Sequence, residues 1–125
     1  MREIKFRGFS KELNKWVFGQ VVKNQSGIPF IVGNVEESNE EYINLHWWRP
    51  VAPESLGQFT GLKDKNGKEI YEGDILKHPD RINFVEWNTT YSGGYSCGRY
   101  GGIDFQYLEI IGNIYETPEL LKENK

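Results

Sequence analysis

One cysteine and two histidines are all that this 125-residue chain offers of the side chains that most often carry thiol, imidazole or zinc chemistry. A lone Cys97 excludes an internal disulfide, which points to the reducing cytoplasm. Cys97, His46 and His78 fall short of a protein-only zinc site unless carboxylates join them. Neither histidine stands in a motif that would activate a nucleophile. No apolar run reaches the length of a signal peptide or a membrane span, and the N-terminus is charged from Arg2 onward. These shortages predict a cytoplasmic protein without membrane, metal or cofactor, and not an enzyme.

What is abundant is aromatic and glycine. Seven Phe, seven Tyr and four Trp favour strands over helices, and fourteen Gly imply many tight turns. The length suits a single domain, or two closely packed subdomains, with a proper core. The net charge of −3 is unevenly spread. Residues 1–23 carry Arg2, Lys5, Arg7, Lys11, Lys15 and Lys23 against Glu3 and Glu12, a balance of +4 that leaves −7 for the remainder. Such polarity orients subunits or gives one face an affinity for phosphates, although solvated strand faces produce it as well.

Ile4-Lys5-Phe6-Arg7 alternates as a half-buried strand does, and Ser10 to Lys15 is a polar turn. A second strand runs from Trp16 to Val22, with Trp16, Phe18, Gln20 and Val22 on one face. Asn24 to Gly27 turns the chain into Ile28–Val32, where Pro29 predicts a strand at an edge or one that starts there. Glu36 to Glu41 is an acidic loop. Tyr42 to Trp48 alternates again, and Pro53 to Leu56 accommodates one helical turn. Ile82 to Trp87 is a strand. Segment 88–102, with five glycines and three tyrosines, is a long loop or a loosely paired hairpin. Ile103–Leu108 and Glu109–Tyr115 supply the last strands. Thr117-Pro118-Glu119 opens a short helix with a capping hydroxyl.

Several stretches imitate functional motifs. Asp64 to Glu69 superficially matches a calcium loop, but Lys68, Glu69 and Ile75 stand where an oxygen ligand, glycine and glutamate are needed. Gly93 to Gly102 lacks the Gly-Lys-Ser/Thr of a phosphate loop, and no helix follows it. The acid pairs Glu36/Glu37, Glu40/Glu41 and Glu72/Asp74 would need burial or proximity to divide acid from base. Glu72-Gly73-Asp74 reads better as a turn in which the Asp74 carboxylate accepts backbone amides.

The most informative stretch is Gly57 to Lys77, where two apolar segments flank Asp64-Lys65-Asn66-Gly67, a turn whose Asn-Gly pair accepts positive φ cheaply. Asp64, Asn66, Gly67, Gly73 and Asp74 are assigned a structural role, with Leu62, Ile70 and Ile75 as anchors. Together with Met1-Arg-Glu-Ile-Lys-Phe-Arg-Gly8 and Ile110 to Leu121, this stretch resembles the YopX family, small proteins encoded mostly by phages and prophages of Gram-positive bacteria. The resemblance covers the whole chain and implies an accessory protein of the bacterial host's cytoplasm. Gly73-Asp74-Ile75-Leu76 and the strand around Val85 resemble the start of an SH3-like barrel. The expected fold is therefore mainly β: N-terminal hairpins (residues 1–52) packed on an SH3-like barrel (53–117), with a short C-terminal helix (118–125).

Trp47 and Trp48 are neighbours on one strand and must face opposite sides, so at least one is exposed unless the strand is covered twice. With Tyr91, Tyr95 and Tyr100 they are the candidates for contact surfaces. A homo-oligomer, or binding to a host or phage protein, is the first expectation. Single-stranded nucleic acid is the alternative, its backbone tracked by Arg2, Lys5 and Arg7 while an aromatic stacks on a base; the acidic bulk of the chain opposes it.

Overall fold

Short alternating segments separated by glycine-containing turns give thirteen strands in the computed structural model, which describes residues 4–33, 35–38, 43–45, 48–79, 81–87, 94–98 and 100–122. They form two compact units, Glu3–Gln58 and Phe59–Lys125.

The first unit contains β1 (Phe6–Ser10), β2 (Lys15–Lys23), β3 (Pro29–Val32), β4 (Val35–Ser38), β5 (Ile43–Leu45) and β6 (Trp48–Pro50). The β1–β2 turn places Asn14 at φ 54°, a left-handed conformation that asparagine tolerates, while Ser10 Oγ accepts the Leu13 amide at 3.1 Å. β2 serves two partners in succession. Lys15 to Gly19 pair with β1, and Gln20 to Lys23 pair with β3. Gly19 sits at this handover because a Cβ there would run into the Val32 carbonyl oxygen. β3 starts at Pro29, as its missing donor requires, yet it is flanked by β2 and β6. Val17, Ile31 and Val51 form the core of the unit, with Phe6, Val21 and Leu56 packed against it. A 3₁₀ turn at Pro53–Ser55 closes the unit: Ser55 Oγ accepts the Phe9 amide at 2.7 Å and donates to the Ala52 carbonyl at 2.6 Å.

β7 (Gly57–Lys63) pairs through Gly57 and Gln58 with β1, and its remainder belongs to the second unit, where it pairs with β8 (Glu69–Tyr71). That hairpin is the one the Asn66-Gly67 pair predicts, and Gly67 adopts φ 81°. Its register shifts between Phe59 and Lys63. Gly61, at φ 86°, takes up the bulge, and the buried Thr60 hydroxyl donates to the Ile70 carbonyl at 2.8 Å. β9 (Asp74–His78), β10 (Arg81–Trp87), β11 (Tyr95–Cys97), β12 (Tyr100–Gly101) and β13 (Glu109–Asn113) complete the unit as an antiparallel sheet ordered β12-β11-β10-β9-β13. Its core is Ile70, Leu76, Val85, Tyr95, Cys97, Phe105 and Leu108. The short helix α1 (Glu119–Lys122) follows. The Thr117 hydroxyl does not cap it in the expected way but points back, accepting from the Asn113 amide and donating to the Asn113 carbonyl, both at 3.1 Å. Gly112 leaves the space that Thr117 Oγ1 and Leu120 occupy.

Three expectations are corrected. The sheet of the second unit is open among the described residues, so no closed barrel forms and the SH3-like arrangement is not confirmed. Gly102–Tyr107 is a 3₁₀ helix instead of a strand, because it buries Phe105 and Leu108, three residues apart on one side of a three-residue turn. The presumed acidic loop contains β4, which pairs with β5. Of the strand expected over 42–48, Ile43–Leu45 and the start of β6 at Trp48 are extended as expected, and residues 42, 46 and 47 lie outside the described residues.

Candidate functional site

Strand parity decides which face of the first unit meets solvent. Val17, Gly19 and Val21 point one way along β2, and Trp16, Phe18, Gln20 and Val22 point the other. The inward set joins Ile31 and Val51, which leaves Phe18 48% and Val22 53% exposed. Cross-strand register extends this outer face: Val22 lies opposite Phe30, and Val32 opposite Trp48. The Trp48 indole packs edge-on against Phe30 at 5.9 Å and is still 56% exposed. Ile28, also exposed, precedes Phe30 by two residues and extends the same row. The result is an uncharged apolar patch across β2, β3 and β6.

The edge beside this patch is protected. The Val51 amide donates to the Pro29 carbonyl at 3.1 Å, so antiparallel alternation turns the backbone of Trp48 and Pro50 away from β3. Pro50 has no amide to offer there, and the Trp48 carbonyl already accepts Arg49 Nη1 at 2.9 Å.

Arg7 and Phe9 face outward opposite Phe18 and Trp16. The Arg7 guanidinium lies 4.7 Å from the centre of the Trp16 ring, and Phe9 meets the same indole edge-on at 5.5 Å. Arg7, a candidate for phosphate contact, is therefore half-buried in a cation–π stack, and Lys5 is half-buried beside it on the chain. Arg2, Trp47 and Tyr91 lie outside the described residues, as does His46. Tyr95 is corrected: it is 7% exposed and belongs to the core of the second unit, held edge-on by Trp87 at 5.0 Å. Tyr100 lies on β12 opposite Cys97. Phe18, Val22 and Trp87 are exposed residues not singled out from the sequence. For the first two, the polar Gln20 between them marks the outward face.

The structural motif is dense in hydrogen bonds. Asp64 Oδ1 accepts the amides of Asn66 at 2.8 Å and Lys68 at 2.9 Å, while Oδ2 accepts the Ile110 amide at 3.1 Å. Burial alone would raise this carboxyl, but the Ile110, Lys68 and Asn66 amides and the Lys68 charge outweigh it and hold its pKa below the ordinary value. Asp74 Oδ2 accepts the Tyr71 amide at 2.7 Å across the Glu72-Gly73 turn, with Gly73 at φ 91°.

Burial pushes the Cys97 thiol up to about 11, helped by the Glu86 charge and opposed by a hydrogen bond from the Leu76 backbone. A buried, protonated thiol is a poor nucleophile at neutral pH. Among the described residues, no three His, Cys, Asp or Glu side chains converge as a metal site, and no helix is long and apolar enough to cross a membrane.

No curated protein matches this chain. Among solved structures it is similar to protein EF1440 from Enterococcus faecalis, with 26% identity, 97% of this chain and 99% of that one covered, and a TM-score of 0.58. The family described as YopX protein matches residues 5–122, nearly the whole length. On that match, the chain belongs to the YopX family.

Proposed function

We propose that this protein acts without catalysis, by macromolecular contact, and that its first partner is a second copy of itself. The apolar patch of Val22, Ile28, Phe30 and Trp48 carries the reading. An uncharged face can meet its own copy about a two-fold axis without like-charge repulsion. The guarded β6 edge favours contact through the face over strand pairing. Four side chains make up less than the roughly 800 Å² per partner of a standard interface, so the dimer should be a micromolar one. The accessory role in a phage or prophage, exercised in the cytoplasm of the bacterial host, belongs to the same proposal and is supported by the family resemblance. Light scattering across a concentration series tests it: mass should rise toward that of a dimer, and a strict monomer at several hundred micromolar would refute it.

The single-stranded nucleic-acid reading is favoured by one observation. The β1–β2 hairpin carries Lys5, Arg7, Lys11, Lys15 and Lys23 with Glu12 as its one acid among the described residues. It predicts binding that weakens steeply with salt. Unchanged mobility of short DNA and RNA strands at low salt would remove it.

A further inference from the structure

Beside the apolar patch, the first unit holds a second feature with different chemistry. A cleft of about 500 Å³ is lined by Leu13, Lys15, Trp16, Val17, Phe18 and Arg49. That volume lies within the roughly 300–1,000 Å³ typical of small-molecule sites. Leu13, Val17 and the two aromatic rings supply apolar walls, and Lys15 and Arg49 bring two positive charges to the same space. Neither cation has an ion-pair partner among the described residues.

The lining is also held in place. Trp16 is clamped by Phe9 edge-on at 5.5 Å and by the Arg7 guanidinium 4.7 Å from its ring centre. Arg49 is anchored by the bond from Nη1 to the Trp48 carbonyl at 2.9 Å, which uses one of the donors of a guanidinium that has five. Fixed rings and a fixed cation lower the ordering cost that a ligand must meet.

We propose that this cleft binds a small anion carrying a planar ring. The ring lies against Phe18 and Trp16, and a carboxylate or phosphate is held by Lys15 and Arg49. Arginine forks pair with either anion through two parallel bonds. A small ligand fits better than a long polyanion, because the charge of −7 beyond residue 23 repels a phosphate chain while a single anion meets the local cations. The site is separable from the self-association patch: Phe18 shares the outer face of β2 with that patch, but Val22, Ile28, Phe30 and Trp48, which carry the self-association reading, do not line the cleft.

The test is calorimetric titration of the full chain, with amide NMR shifts to locate binding. The probes are adenosine 5′-monophosphate for the phosphate source and indole-3-acetate for the carboxylate source, with adenosine and inorganic phosphate as half-ligand controls. At least one charged probe should bind with Kd below about 1 mM, at least tenfold tighter than either half-ligand. Whichever of the two binds tighter names the source. Arg49→Gln and Lys15→Gln should each weaken binding by about tenfold. Phe18→Ala should weaken it as well, while Trp48→Ser alters self-association and leaves the titration unchanged. Lys15 and Phe18 are exposed, so their variants should keep the wild-type melting temperature. The proposal is overturned if neither charged probe binds below about 10 mM. It is also overturned if adenosine binds as tightly as the monophosphate, or if the three cleft variants change nothing.

Discussion

Replacing Asp64 tests how the signature hairpin is held. This carboxylate is 4% exposed and accepts three main-chain amides, two within its own turn and one from Ile110 at the start of β13. Each bond to an ionised acceptor contributes about 1.5–3 kcal/mol, though three on one group are not additive. In Asp64→Ala, water can reach the amides of the exposed residues Asn66 and Lys68, whereas the half-buried Ile110 amide is poorly compensated. The expected loss is about 2.5–4 kcal/mol. Asp64→Asn keeps one oxygen for the turn but sets an NH₂ group against the Ile110 donor, so it should cost about 1.5–2.5 kcal/mol. The pKa of Asp64 is held below its ordinary value of 3.8, so its ionised form favours the folded state. That contribution is fully present above the unfolded value and is lost as pH falls through the folded one. Urea unfolding followed by tryptophan fluorescence should show a wide gap between wild type and Asp64→Ala at pH 7 and a narrower one at pH 3. A gap below about 0.5 kcal/mol at neutral pH, or one equally wide in acid, would refute the reasoning.

Three further outcomes follow from the backbone and surroundings of single residues. Gly67→Val should cost about 1–2 kcal/mol in thermal unfolding through its left-handed backbone, since a Cβ there meets nothing within 4 Å, and Gly67→Asn should cost less. Gly19→Ala should cost more, about 2–3 kcal/mol, because its Cβ meets the Val32 carbonyl and β2 must separate from β3; a neutral substitution would mean that the handover is not tightly packed. Cys97 should resist iodoacetamide at pH 8 until the protein unfolds. Its thiol titrates near 11 instead of the ordinary 9.0, so stability should fall between those values, as the unfolded chain ionises first, and Cys97→Ala should lack that fall.

Where local chemistry decides conformation, the chain could be read directly. The Asn66-Gly67 turn, the carboxylates of Asp64 and Asp74 as backbone acceptors, the start of β3 at Pro29 and the one-turn helix after Pro53 each depend on one residue's own geometry. Non-local choices were hidden. Ile103 to Leu108 alternates like a strand, yet the burial of Phe105 and Leu108 selects a period of three. Barrel closure depends on which edge strands meet, and no spacing records that. The same division applies to the candidate site. The adjacent tryptophans implied one exposed indole unless the strand is covered twice, without saying which, and Trp48 is exposed; Gln20 marks the face that holds Phe18. Tyr95 sits in a glycine-rich stretch without periodicity, so nothing local told that its ring turns inward. Arg49 and Leu13 come to the cleft from separate segments, a proximity that only the fold creates.

Sedimentation equilibrium of the wild type beside Trp48→Ser tests the central claim of self-association most directly. A buried tryptophan at the centre of an interface contributes about 2 kcal/mol or more, so the substitution should weaken a micromolar dimer by roughly thirtyfold. Because Trp48 is more than half exposed, the monomer's melting temperature should hardly change. Identical association constants for the two proteins, or a wild type that stays monomeric at every concentration, would contradict the account.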